Sequence, residues 1–238
     1  MRKIDDSLEY KTAQIKFKND VLKDEECHKV QSCDGNWSIF KSAFLAFSDY
    51  KCPMCETKLD SYSHIDHIEP SSKFPEVKCC CKNYLILCPA CNSAFKNDQF
   101  PIKDDVPKFV NMYVENKLLI NPREDEVLKY FQLHFVKLKS NEKVLYLAPN
   151  KGLSTEEKEM AKATIKVYGL GSCADEKMKT KCRLSLNKEH FTNYIRFARA
   201  MEQGKDVFEE KLNDEDNSNI KNMGLLSFIA KKQFKIAV

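Results

Sequence analysis

Two C-x-x-C pairs constrain this chain more than any other feature: Cys52-Pro53-Met54-Cys55 and Cys88-Pro89-Ala90-Cys91. Each is a tight turn that aims two sulfurs at one point. Together they supply four thiolates for a tetrahedron, the donor set of a closed structural zinc site. The shared spacing, and a Pro after each first Cys, favour paired knuckles. The other reading is a redox C-x-x-C or unrelated core cysteines. The gap between the pairs is longer than in a simple zinc ribbon, so something is inserted there.

The chain holds 11 cysteines. Cys27, Cys33, Cys79, Cys80, Cys81, Cys173 and Cys182 have no partner spacing and read mostly as packing residues. An odd count, three consecutive cysteines and a polar opening (MRKIDDSLEY) without an apolar core predict a chain with no secretory signal. The expected setting is a reducing cytoplasm. With 238 residues, the chain is long enough to bury a core without disulfides. It has no run of about 18 apolar residues, which excludes a membrane-spanning helix from the expected architecture.

Three regions are expected. Residues 1–48 read as helical, with Asn36 as a cap before Ile39, Phe40, Phe44 and Phe47. Residues 49–100 lose helical periodicity and crowd cysteines, histidines and aromatics together. Residues 101–238 read as mostly helical, although 106–119 and 126–138 mix helix and strand signals. Ser154-Thr155-Glu156-Glu157 is a capping-box pattern, which predicts a helix to about Tyr168 stopped by Gly169. A further helix is expected over 188–201, a polar linker over 213–219 and a lysine-alternating apolar tail over 220–238.

Between the knuckles sits His64-Ile65-Asp66-His67-Ile68-Glu69-Pro70, followed by Asn83 and then Asn92 and Lys96. This stretch resembles an HNH endonuclease: C-x-x-C, an acid-His pair with Pro three residues on, Asn-x-Leu, then C-x-x-C-N. The resemblance implies an α+β fold, a compact ββα-metal core with a structural zinc knuckle, set in mostly helical flanks. It implies Asp66 and Asn92 as ligands of a divalent ion such as Mg²⁺, which prefers hard oxygen donors. It also implies His67 as the general base and Asn83 as the residue that orients the histidine loop. Adjacent strand residues point to opposite faces, so Asp66 and His67 need a bend or a strand end between them. The family's closing Lys stands three residues after the His or Asn, whereas Lys96 is four after Asn92. His64 shares a strand face with Asp66 and is read either as an extra metal or phosphate contact or as a surface residue of the hairpin. His28, His134 and His190 stand alone and read as structural.

A narrower resemblance runs to about residue 200. The strings I-D-H-I-E-P-S-S-K-F-P, K-N-Y-L-I-L-C-P-A-C-N, L-L-I-N-P-R-E-D-E and A-T-I-K-V-Y-G-L are similar, in that order, to the PtuB family. That family is the HNH subunit of Septu-type anti-phage defence, with some members in retron operons. It often carries Glu before the His and P-K-S after it, where this chain has Asp66, Pro70-Ser71-Ser72 and then Lys73. The resemblance implies a PtuA-like ATPase partner and, in retron versions, a reverse transcriptase with its multicopy DNA. Residues 38–48 and the tail offer apolar surface for docking or for ordinary core packing.

Charge locates the nucleic-acid question. Residues 51–100 hold six lysines and six acids, so the module is neutral and offers Lys73 and Lys96 as local contacts. Residues 175–200 hold Lys177, Lys179, Lys181, Arg183, Lys188, Arg196 and Arg199 against three acids. That excess equals the whole chain's formal +4. The segment reads as either a backbone-contact surface or a solvated helix face. Two function classes follow: an endonuclease on DNA or RNA, tRNA included, and a zinc-stabilised binding scaffold without catalysis.

Overall fold

The computed structural model describes residues 41–171 apart from 43, 46, 47 and 49, together with 183–186, 188, 189 and 192. The expected cap at Asn36, the linker, the tail, and Lys177, Lys179, Lys181, Arg196 and Arg199 lie outside the described residues. Two compact units divide between Asp125 and Glu126. The unit that contains both knuckles therefore runs on past residue 100. Among the described residues the fold is a mixture of short helices and small sheets, α+β in character.

In the first unit, β1 (His64–His67) pairs antiparallel with β2 (Tyr84–Leu87), with His64 opposite Leu87 and His67 opposite Tyr84. The run Tyr84-Leu85-Ile86-Leu87 is apolar throughout, and all four residues are buried, so β2 has protein on both faces. A π-helical turn, Ala90–Lys96, follows directly and packs on β2. Phe74, Val77, Phe100, Leu119 and Ile120 close the core around these elements. β3 (Phe109–Val110) and β4 (Tyr113–Val114) form a hairpin. Its two turn residues, Asn111 and Met112, both have positive φ, the geometry of a type I′ turn.

The second unit begins with a short helix, α1 (Val127–Tyr130), and then a hairpin of β5 (Phe131–Lys137) and β6 (Lys143–Pro149). The helix-plus-strand reading of 126–138 matches this order. The expectation of a mostly helical region from 101 onward does not match the described part, which holds four strands, β3 to β6. Along β5 only Phe131 is buried and Phe135 is exposed, so the strand is held by its pairing with β6 from Phe131–Pro149 to Lys137–Lys143 rather than by a buried apolar face.

α2 (Thr155–Tyr168) forms as its sequence dictates. Ser154 Oγ accepts from the Glu157 amide at 3.2 Å, and the Ser154 amide donates to Glu157 Oε2 at 2.9 Å. Gly169 adopts φ 63°, the left-handed stop that a side chain resists. Ala161, Thr164, Ile165 and Tyr168 are buried, and the helix packs on β6. Lys129 adds an ion pair to the capping residue Glu157. Ser154→Ala removes the cap acceptor and is expected to cost about 1 kcal/mol, read as a lower urea midpoint with an unchanged slope.

Candidate metal centre and polar site

The first knuckle is a tight hairpin. Lys51 bridges to Lys58, the Cys52 amide donates to the Thr57 carbonyl at 2.9 Å, and Glu56 takes a positive φ of 60° to close the turn. The second knuckle is the entry to the π-helical turn, where the Cys91 amide points at Cys88 Sγ from 3.4 Å. All four cysteines are buried, and their sulfurs lie within 4.8 Å of one another. Cys52 Sγ is 3.5 Å from Cys91 Sγ, and Cys55 Sγ is 3.6 Å from Cys88 Sγ. A tetrahedral zinc site with bonds of about 2.3 Å spaces its sulfurs by about 3.8 Å. The chain's own geometry thus fits zinc, and four buried cysteines this close together could hold such an ion.

Burial pushes the Cys52 and Cys91 thiols up, while hydrogen bonds from Cys52 and its neighbours hold Cys88 well below its usual range. The same contact with Cys52 brings Cys55 down to about 6. Protons are divided unequally among four crowded sulfurs, and a dication replaces that division with four thiolates. Cys80 is buried, with its sulfur against the Tyr113 hydroxyl. Cys79 differs from the expected packing residue because it is disulfide-bonded.

The polar site begins at the end of β1. His67 is the last strand residue and pairs with Tyr84, so Asp66 and His67 both lie within β1 and the expected break between them is absent; the chain leaves the sheet only after His67. Its Nε2 lies 2.9 Å from the Lys78 carbonyl. A carbonyl only accepts, so Nε2 carries the proton and Nδ1 keeps the lone pair in the neutral ring. The Tyr84 hydroxyl donates to the same carbonyl at 2.9 Å, and its ring meets His67 edge-on. Burial holds the imidazole below its ordinary 6.5; the Lys78 hydrogen bond opposes this, and the Lys96 and Lys78 ammonium groups reinforce it.

Asp66 is buried, and its Oδ2 lies 2.9 Å from Lys96 Nζ. This is a close ion pair between two buried groups. Burial raises the Asp66 carboxyl above its usual 3.8, with Lys96 opposing. Asn92 Nδ2 lies 3.1 Å from His64 Nδ1, which leaves the amide oxygen for another partner. His64 is half-buried and engaged with Asn92 rather than standing free on the hairpin.

Asn83 holds the loop after His67. Its Oδ1 accepts from the Glu69 amide at 2.8 Å, and its Nδ2 donates to the carbonyls of Glu69 at 3.0 Å and Val77 at 3.2 Å. Glu69 is itself buried, and its Oε1 accepts from the Val114 amide at 3.0 Å.

One expectation is overturned. Lys96 is completely buried, so it is no backbone-phosphate contact. Lys73 is exposed, as a contact residue must be. Lys78, Tyr84 and Glu69 belong to the site's surroundings without having been singled out from the sequence. Tyr84 carried a signal, since it follows Asn83 directly. Lys78 acts through its carbonyl, which has no signature in a sequence.

No protein-family model matches the chain, and neither a curated protein nor a solved structure is significantly similar to it. Among the described residues no helix is long and apolar enough to cross a membrane.

Two predictions follow from this geometry. Purified protein carries equimolar zinc by elemental analysis, and Cys52→Ser loses both the zinc and the cooperative unfolding transition. Asn83→Ala strands a buried amide and two buried carbonyls, at an expected cost of about 2–4 kcal/mol by urea unfolding.

Proposed function

We propose that the chain is a metal-dependent HNH-type endonuclease. The observation that carries this reading is the His67 imidazole, pinned by a backbone carbonyl next to a buried Asp66, on a hairpin bracketed by the cysteine cluster. The order β1, β2, helical turn is also the order of a ββα-metal core, which supports the fold behind this reading.

Hydrolysis of a phosphodiester needs a base for water, positive charge at the phosphate and stabilisation of the departing oxygen. His67 takes the water proton at Nδ1, because Nε2 already holds one and donates it to Lys78. Its lowered basicity keeps the ring neutral, and so ready to accept, at physiological pH. Asp66, whose Oδ2 is paired with Lys96, and the amide oxygen of Asn92 are hard oxygen donors of the kind that hold Mg²⁺ or a similar ion. Once bound, that ion supplies the charge that faces the phosphate and the leaving oxygen. Asn83 keeps the loop after His67 in place, and Tyr84 buttresses the carbonyl that sets the tautomer.

The wider role rests on sequence resemblance alone. In this reading the chain is the toxic effector of a cytoplasmic anti-phage complex governed by a PtuA-like ATPase. Retron versions add a reverse transcriptase with its multicopy DNA. The substrate is DNA or RNA, tRNA among the candidates. The competing reading, a zinc-stabilised scaffold without catalysis, draws support from the Lys96 ammonium, which already sits where a cation would neutralise Asp66.

A cleavage assay of the activated complex on plasmid DNA and total cellular RNA separates the two. His67→Ala and Asp66→Ala are each expected to abolish cleavage and cellular toxicity while zinc content is retained. If both activities survive both substitutions, the nuclease reading is wrong. The base works deprotonated, and its native pKa lies below 6.5. The acid limb of the rate profile is therefore expected to have its midpoint below pH 6.5, with activity lost as the ring protonates.

A further inference from the structure

Lys96 is a lysine with no exposed side-chain surface. An ammonium is stable out of water only where its charge and its donors are met. Its Nζ lies 2.7 Å from the His67 carbonyl, 2.9 Å from Asp66 Oδ2 and 3.4 Å from the Asn97 carbonyl. The first two belong to neighbouring residues of β1, one through its backbone and one through its side chain. A single cation thus fixes the Asp66 carboxylate and the peptide leaving His67 together.

The helix explains how Lys96 gets there. The Asn97 amide donates to the Asn92 carbonyl at 2.6 Å, an i→i+5 bond of the π type. Four steps along such a turn fall short of a full circle, as three steps do along an α-helix. Lys96 therefore stays on the side that carries Asn92, and both residues reach β1: Asn92 at His64, and Lys96 at Asp66 and His67. The extra residue before Lys96 is absorbed as a wider turn, and the lysine keeps its reach.

We propose that Lys96 is a positioning residue for the Asp66–His67 pair, delivered by the π turn. It sets the orientation in which two adjacent strand residues serve one site, and it touches no substrate. The catalytic consequence rests on the nuclease reading; the structural one does not.

The test uses the full zinc-loaded chain with Lys96→Met and Lys96→Arg. The first readout is independent of cleavage. In the wild type the His67 Nε2–H, donated to Lys78, is protected from solvent exchange in imidazole ¹H–¹⁵N spectra at mildly alkaline pH. Lys96→Met is expected to lose that protection, and Lys96→Arg to restore it at least in part. The second readout is kinetic: in Lys96→Met, kcat falls by about 10²-fold while KM for nucleic acid stays within about twofold of wild type.

A protected Nε2–H in folded Lys96→Met overturns the proposal, as does a raised KM with kcat intact, which is the mark of a phosphate contact. If Lys96→Met does not fold, the pair Lys96→Met with Asp66→Asn removes both buried charges, and its Nε2–H protection decides in the same way. A wild type that cleaves nothing defeats the nuclease reading, yet the exchange measurement still decides the role of Lys96.

Discussion

Each element around the polar site is too short to stand alone. β1 and β2 have four residues each, and the π turn has seven. A two-stranded ribbon of that length is marginal in water, and a single helical turn is well below the length at which helices hold themselves. A metal ion held by the four cysteines would change this balance: it would tie the 50–59 hairpin to the end of β2 and the start of the π turn, closing a long loop at one buried point. The loop so closed carries His64, Asp66, His67 and Asn83, so the placement of every polar group between the knuckles depends on that cross-link.

Inside the closed loop, much of the backbone is satisfied by side chains rather than by a sheet. Asn83 uses both ends of its amide on the 69–77 segment. The buried Glu69 takes the Val114 amide from the neighbouring hairpin, and burial raises its carboxyl above 4.5. Buried polar groups of this kind leave little tolerance, because each lost partner costs the desolvation of the other. The arrangement suits a site in which one imidazole must keep one tautomer.

Local patterns were legible in the sequence to the extent that they depend on spacing. The cysteine pairs, the capping box at Ser154 and the stop at Gly169 each state their geometry within a few residues, and each forms as written. The loop-orienting role of Asn83 came from the HNH resemblance and not from any local pattern; its amide bridges donors and acceptors at once. The hairpin of β5 and β6 was harder: Lys, Leu and Val are common in both helices and strands, and β5 is held by its pairing with β6 rather than by a buried apolar face. Lys78 was illegible because its carbonyl does the work. Lys96 was misread as a surface cation because nothing local says that the helix ahead of it widens to a π turn.

That misreading bears on the electrostatics of the whole module. Residues 51–100 balance six lysines against six acids, and one of those lysines is buried against Asp66. Glu56 and Glu69 are buried as well as Asp66, so outside the buried set the module keeps five lysines against three acids, and its surface is more positive than the sequence count suggests. Asp66, in turn, shares its charge with an ammonium before any divalent ion arrives, so the ion it holds is attracted less strongly than by an unpaired carboxylate. Lys96 thus neutralises Asp66 inside the module rather than adding charge to its surface.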